Sequence, residues 1–282
     1  MLHQQYQDLE FIVVDDGSTD ETWNTLVDYQ QNYPQVLHIF RNERNSGITT
    51  SVNRALSAAK GKYVAFIGHD DIWLPEKLQK QLRVMEATPG CIFSYHDMEH
   101  FDSNSNDTLR FHNSGRAGSK PVEGESGLVA RAVIEQLNWF VGGPSVVLRR
   151  DVLPPWQWEP RVPHAADWLC WIEVLVRNKG IVRYVPEVLV RYRVHDRNAS
   201  QNRESMEIDL GTTLALVEVR YPMFADSVRR ARGYWYYGRG VSAVKNGQSV
   251  EGRHLLTAGA RCSWYSWKWV GWWLLSLFPR RS

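Results

Sequence analysis

Short, continuously apolar runs alternate along the chain with stretches whose apolar positions recur every three or four residues. Phe11-Ile12-Val13-Val14 is the first run, apolar and β-branched as a parallel strand covered on both faces would be. It stops at Asp15-Asp16-Gly17. Ser18 and Glu21 then stand at capping-box spacing, with Trp23, Leu26, Val27 and Gln30 at helical intervals behind them. A second strand, Val36 to Phe40, follows Pro34. Polar Asn42 to Gly47 leads into a helix with Val52, Ala55, Leu56 and Ala59 on one face. A third strand, Tyr63 to Ile67, ends at Gly68-His69-Asp70-Asp71. Pro75 suits the first position of another helix reaching about Met85, and Cys91 to Tyr95 reads as a fourth strand. Strands and helices alternating at this spacing predict βαβ units and, by the right-handed crossover, a parallel sheet.

Beyond Phe101 the periods fade. Residues 101–127 are rich in Ser, Asn and Gly and read as a long loop, a substrate-facing insertion or a disordered stretch. Order returns with a helix near Leu128, a Gly142-Gly143-Pro144 turn and a strand from Ser145 to Leu148. Asp167 opens a strongly apolar helix containing Trp168, Leu169, Trp171, Ile172 and Leu175, and Tyr184 to Tyr192 reads as a strand broken by Pro186. From about Ser205 the pattern is helical. The expected division is an α/β domain over residues 1–204 and a helical extension over 205–282.

At 282 residues the chain holds one large domain or two modest ones, at roughly 100–200 residues each. Hydrophobic residues at 43% and charged residues at 23% exclude a mainly disordered chain and a multi-span membrane protein. A net charge of +2 gives no sign of a global field for nucleic acid. Cys91, Cys170 and Cys262 are odd in number and far apart, which suits a reducing cytoplasm rather than a disulfide framework. The first residues lack the basic and apolar regions of a signal peptide, and no run reaches the ~18 apolar residues of a membrane span. The tail from Trp264 to Phe278, followed by Arg280 and Arg281, reads either as an interfacial segment on the inner membrane face or as a buried terminal helix.

In open α/β sheets ligands lie outside the carboxyl ends of the strands. Two acid pairs, Asp15-Asp16 and Asp70-Asp71, fall at such ends. One carboxylate there can accept a hydrogen bond from a base or ribose, and another can help hold Mg²⁺ or Mn²⁺ beside phosphate oxygens. The same residues also serve as turn and cap residues.

The blocks FIVVDDGSTDET, RNSGITTSVNRAL and GKYVAFIGHDDIWLPEKL, in this order and spacing, resemble glycosyltransferase family 2. The likeness continues more loosely through HAADWLCWIEVL and RYRVHDRNAS to about residue 200. It implies a GT-A nucleotide-sugar-binding fold, α/β with a mostly parallel sheet, and inverting transfer from a nucleotide-diphosphate sugar to a glycan or lipid-linked hydroxyl acceptor. Polysaccharide or cell-surface glycan synthesis is the setting it implies, in the cytoplasm or peripherally on the membrane's cytoplasmic face.

Residue by residue, the resemblance makes Asp15 and Asp16 nucleoside-binding and gives Asn45, Gly47 and Asn53 a part in the nucleotide pocket. Asp70 matches the second acid of the family's D-x-D metal motif, Asp71 after it is placed with the substrate-binding residues, and His195 matches a position that adds a metal or diphosphate contact. Gly143 and Ser145 border the acceptor, or form a plain turn. Asp167 stands where the family carries its catalytic base. Three departures stand out. Gly68 replaces the first acid of D-x-D, Ala166 replaces the acid before Asp167, and the chain starts inside the family's first helix, at Leu2 to Tyr6, without the usual central first strand. The rival readings are a non-catalytic nucleotide-sugar or glycan-binding protein and a sugar nucleotidyltransferase.

Overall fold

A computed structural model describes residues 2–114, 121–138, 140–155, 157–196, 198, 202–262 and 267–277. The chain divides into one compact unit of Met1–Val133 with Asn138–Leu210 and a second of Ile134–Leu137 with Gly211–Ser282.

In the first unit, β1 (Phe11–Asp15) and β2 (Leu37–Arg41) pair in parallel, and α1 (Thr22–Asn32) and α2 (Ile48–Ala58) follow them in turn. A larger sheet has the order β3 (Tyr63–Ala65), β8 (Val147–Arg149), β5 (Cys91–Asp102), β9 (Ile181–Val194), β4 (Ile72–Trp73). Strands β3, β5 and β9 run in one direction, with β8 reversed between β3 and β5 and β4 reversed beside β9. Strand β6 (Thr108–Phe111) adds to β5, and β7 (Gly124–Glu125) adds to β9. Helices α3 (Lys77–Ala87), α4 (Ser126–Glu135), α5 (Ala166–Arg177) and α6 (Arg203–Arg220) complete the series.

The core forms where apolar runs meet on both sides of β5. Phe93, Tyr95, Phe101 and Leu148 from the strands and Leu169, Trp171, Ile172 and Leu175 from α5 are almost fully buried. Each such side chain contributes about 1.5–3 kcal/mol. The Trp171 ring meets Phe93 edge-on at 5.6 Å and Phe66 at 5.3 Å.

Several elements differ from the sequence expectation, each for a local reason. The fourth strand runs on to Asp102, and β6 returns along it, so the region read as a loop begins with a hairpin. The Asp102 carboxylate accepts the Asn104 and Ser105 N–H groups, and Asn106 takes φ 62°, so this Ser/Asn run is turn chemistry. β9 is continuous through Pro186: the register steps from His96–Val185 to Asp97–Val188, so the proline, which has no N–H to donate, sits in a bulge. α1 starts at Thr22 without a capping box, because Ser18 N–H is taken by the Asp15 carboxylate and Thr22 N–H by Asp20. α3 starts at Lys77, two residues past Pro75. Leu2 to Tyr6 is not helical; buried Gln4 donates to Leu74 O at 2.8 Å and accepts from Leu78 N at 3.2 Å, tying this segment to the start of α3.

β1 is also less enclosed than its sequence suggests. Phe11 to Val14 are only half-buried, because β1 pairs with β2 alone and no described strand joins it to β3. Two polar contacts hold the smaller sheet in place. Glu10 Oε1 accepts Lys60 and Gly61 N–H at 2.6 and 2.8 Å, just ahead of β3, and the Asn53 amide of α2 makes two hydrogen bonds with the Trp158 backbone, at 2.8 and 2.9 Å.

The second unit is helical: α7 (Ala225–Lys245), α8 (Ser249–Cys262) and α9 (Trp267–Leu275) follow the last part of α6. α7 and α8 form a hairpin packed closely through glycines. A Cβ at Gly240 would lie 2.7 Å from Leu256 Cγ, and one at Gly252 would lie 2.4 Å from Val244 Cγ2. Trp272 of α9 packs on the cluster of Val244 and Leu256. Among the described residues no helix is long and apolar enough to cross a membrane.

Phe11 N–H bonds to Val36 O, so Phe11, Val13 and Asp15 address β2 while the Ile12 and Val14 amides turn to the unpaired edge. Hydrogen exchange followed by NMR is expected to find Ile12 and Val14 exchanging on the order of tenfold faster than Val13. Equal protection of all three would mean that the edge is covered.

Candidate functional site

The two-residue strand β4 positions the first group of side chains. Ile72 pairs with Arg191 and Trp73 with Val190, and Leu74 N–H extends the pairing to Leu189 O. This register sets Asp70 and Asp71, just before β4, beside Arg193 and His195 at the end of β9. Arg193 N–H donates to Asp71 Oδ1 at 3.0 Å, and the Arg193 guanidinium donates to Asp70 O at 2.9 Å. His195 Nε2 meets Asp70 Oδ2 at 2.9 Å, and Asn198 Nδ2 donates to the same oxygen at 3.3 Å. Asn198 also fixes the loop, accepting His195 N–H at 2.6 Å and donating to Arg193 O at 3.1 Å.

Gly68 lies beneath both acids. A Cβ there would stand 2.9 Å from Asp70 Oδ1 and 3.1 Å from Asp71 Oδ2. The two carboxylates therefore fill the place where the family's first acid would project, and an Asp at 68 would have to push them aside. Burial pushes the Asp71 carboxyl up to about 6; the Arg193 N–H opposes this and the charge on Asp70 adds to it.

Asp16, Asn45 and Gly47 form a second group. Asp16 accepts Asn42 Nδ2 at 2.7 Å, Ser46 N–H at 2.9 Å and Gly47 N–H at 2.8 Å, and Asn45 Oδ1 accepts Gly47 N–H at 3.2 Å. Burial alone would raise the Asp16 pKa, but these hydrogen bonds outweigh it and hold the carboxyl below its usual value. Asp15 turns inward instead: its buried carboxylate pairs with Arg41 Nε at 3.2 Å and accepts Ser18 N–H at 3.3 Å. Asn53 stands apart from this group, on the Trp158 backbone.

The third group is Asp167 with the turn at Gly143. Asp167 lies in the first turn of α5 and accepts Trp168 N–H at 2.7 Å, while Ala165 is the N-cap residue. Burial pushes its carboxyl up to about 6, against the opposing Trp168 and Asp167 N–H groups. A Cβ at Gly143 would stand 3.1 Å from Asp167 Oδ2, so only glycine leaves this carboxylate uncrowded on that side. Ser145, in the same turn, is fully buried, and its hydroxyl donates to Gly142 O at 2.7 Å.

Sequence reasoning did not single out Arg193, Asn198 or Gln81. Buried Gln81 donates to Ser145 O at 2.9 Å and accepts from buried Lys77 Nζ at 2.7 Å, and so fixes the turn beside Asp167. The signal for Asn198 was its place three residues after His195 in RVHDRN. For Gln81 there was only its position on the buried face of α3.

No group of three or more His, Cys, Asp or Glu among the described residues is placed to hold an ion. Asp70 and His195 supply two donors, a carboxylate and an imidazole, 2.9 Å apart. That pair would suit a divalent cation only with further oxygen ligands from a bound molecule.

The model of the family described as Glycosyl transferase family 2 matches residues 1–152. A candidate teichuronic acid biosynthesis glycosyltransferase of Bacillus subtilis, TuaG, is 29% identical over 204 residues, 72% of this chain and 74% of that protein. The Escherichia coli UDP-Glc:alpha-D-GlcNAc-diphosphoundecaprenol beta-1,3-glucosyltransferase WfgD is 27% identical over 72% of each chain. Two longer relatives are matched over 64% and 59% of their length. Among solved structures, TarS of S. aureus in complex with UDP aligns over 93% of this chain and 74% of its own, with a TM-score of 0.58 and 17% identity. The mannosyltransferase PcManGT of Pyrobaculum calidifontis, in complex with GDP-Man and Mn²⁺, aligns over 98% of this chain and 77% of its own, with a TM-score of 0.58 and 18% identity. These likenesses establish the GT-A fold with C-terminal helices.

The raised Asp167 pKa gives a test that needs no substrate. Its folded value, about 6, lies above the ordinary 3.8. The cost of ionising it in the fold is therefore absent below about pH 4 and grows as pH rises through 6. Asp167→Asn keeps an acceptor for Trp168 N–H, so it is expected to be near neutral at pH 4 and stabilising by on the order of 1–3 kcal/mol at pH 8. Urea unfolding at the two pH values checks this. An equal loss of stability at both would make Asp167 a structural cap.

Proposed function

The chain belongs to glycosyl transferase family 2, and from that premise we propose that it moves a sugar from a nucleoside-diphosphate donor to a hydroxyl acceptor with inversion. The catalytic machinery lies within residues 1–204, and residues 205–282 form an appended helical extension. The acceptor is a glycan or lipid-linked sugar in polysaccharide or cell-surface glycan synthesis, reached peripherally at the cytoplasmic face of the membrane. WfgD, a UDP-Glc:alpha-D-GlcNAc-diphosphoundecaprenol glucosyltransferase, TarS with UDP and PcManGT with GDP-Man support the class of donor, and WfgD that of the acceptor.

The observation that carries the reading is the Asp167 carboxylate in the first turn of α5, raised to about 6 and approached closely by Gly143. A base in this range is ionised at pH 7 and still basic enough to take a proton as a bond forms. Asp167 takes the proton of the acceptor hydroxyl. The oxygen attacks the anomeric carbon on the face opposite the diphosphate, and the bond from that carbon to the diphosphate oxygen breaks, inverting the centre. Asp70 and His195 would hold a divalent cation, which would supply positive charge for the departing diphosphate, with Asp71 on the donor beside them. Asn198 and Arg193 keep the Asp70 and His195 side chains in register. Asp16, with Asn45 and Gly47, shapes the nucleoside end, and Asp15 supports it from beneath through Arg41. Asn53 and Ser145 act on the pocket through the segments they hold.

Three outcomes follow for a donor found by calorimetry with a panel of nucleoside diphosphates and Mn²⁺. Asp167→Asn is expected to lower transfer by ~10²–10⁴-fold with donor affinity unchanged, and wild-type transfer is expected to fall as pH drops through about 6, where Asp167 takes up its proton. Asp70→Ala is expected to weaken Mn²⁺-dependent donor binding at least about tenfold. Near-normal transfer by Asp167→Asn would remove it as the base, and unchanged donor binding by Asp70→Ala would remove the cation assignment.

A further inference from the structure

Charge is divided unevenly between the two units. Residues 211–282 carry eleven Lys and Arg against three Asp and Glu, a net of +8. Because the whole chain is only +2, residues 1–210 carry −6. A near-neutral total thus conceals a strongly basic helical unit.

The same unit presents an apolar ridge. Trp272 and Ser276, four residues apart, form the inner side of the last helix: Trp272 packs on Val244 and Leu256, and Ser276 is buried. Val270 and Leu274, with Leu277 just past the end of α9, lie on its opposite side and are 45–51% exposed, and Trp273 beside them is 38% exposed with its indole N–H on Thr257 of α8 at 3.3 Å. Their spacing places them on one helical face. No charged residue interrupts the sequence from 270 to 277. Cations stand at the margin of this helix: Lys245 Nζ lies 5.4 Å from the Trp272 ring, and Arg253 donates to Ser276 O at 2.7 Å.

We infer that the basic helical unit, through the ridge of Val270, Trp273, Leu274 and Leu277, docks on an anionic lipid bilayer. An exposed apolar face loses its contact with water by entering the headgroup boundary, where the indole of Trp is also at home. Lys and Arg around it add attraction to anionic lipid that salt screens. The occupant is a membrane rather than a second copy because the surrounding unit is basic, and two copies of residues 211–282, each +8, would repel each other. The helix lies on the bilayer, since no described helix is long and apolar enough to span it. This deepens the functional reading by naming the surface that would bring the catalytic unit to a lipid-linked acceptor, yet it stands without any assay of transfer.

Vesicle flotation with the full chain tests it, using vesicles of phosphatidylglycerol mixed with phosphatidylcholine and vesicles of phosphatidylcholine alone. The anionic vesicles are expected to carry the protein and the neutral ones to carry at least about tenfold less, with binding falling about tenfold between about 0.1 M and 0.5 M salt. Val270→Glu with Leu274→Glu, both exposed and therefore tolerated by the fold, is expected to abolish flotation while circular dichroism and the melting curve stay unchanged. Absence of wild-type binding to anionic vesicles overturns the inference. So does binding that the double variant leaves intact, which would indicate bulk charge attraction alone. Self-association that the double variant abolishes, without vesicle binding, would assign the ridge to a second copy and overturn it equally.

Discussion

Two residue pairs, Ile72 with Arg191 and Trp73 with Val190, fix the geometry on which the proposed chemistry depends. Asp70 and His195 are 125 residues apart in the chain, and only this short antiparallel register brings Oδ2 of one to 2.9 Å from Nε2 of the other. β9 is held in turn by its long parallel pairing with β5, which runs from Cys91–Ile181 to Asp102–Val194. A slip of one residue in β4 would turn Trp73 out of the core and carry Asp71 away from Arg193 N–H. The small strand is stable because its neighbours are: Leu74 N–H continues the pairing, and Gln4 bonds Leu74 O from the other side.

The framework was legible wherever one face of an element is buried. The strand beginning at Cys91, the apolar helix after Asp167 and the acid at the end of β1 were marked by patterning, since burial imposes a period. β3, by contrast, stops at Ala65, and Asp70 and Asp71 stand before the unforeseen β4. Elements without a buried face left no such mark. All four residues of β6 are exposed, and its hairpin was visible only in the turn chemistry of Asp102 to Asn106. Pro186 suggested a break because sequence does not show that a bulge can absorb it.

At the site, residue type and spacing identified the chemistry better than the direction of each side chain. Asp15 and Asp16 are adjacent, yet the first buries its carboxylate beneath exposed Arg41 and the second gathers the Asn42–Gly47 loop. Asn53 belongs to a family-like block and Ser145 to the turn at Gly143, but the polar atoms of both are engaged with backbone. Gln81 was missed because a buried glutamine on an amphipathic helix reads as surface until its partners are known. Gly68, a departure in sequence terms, is a place where the Asp70 and Asp71 carboxylates converge. The loss of an acid there and the packing of the two that remain are one structural fact.

In the proposed mechanism Asp70 and His195 would act as one unit on a cation-bound diphosphate. A double-mutant cycle in calorimetric binding of a nucleoside diphosphate with saturating Mn²⁺ measures that coupling directly, using Asp70→Asn, His195→Ala and the pair. If the two share the ion, each single change weakens binding and the double variant is little worse than the weaker single one, a coupling on the order of 1 kcal/mol or more. Losses that simply add would contradict the claim and leave the 2.9 Å contact as a packing detail.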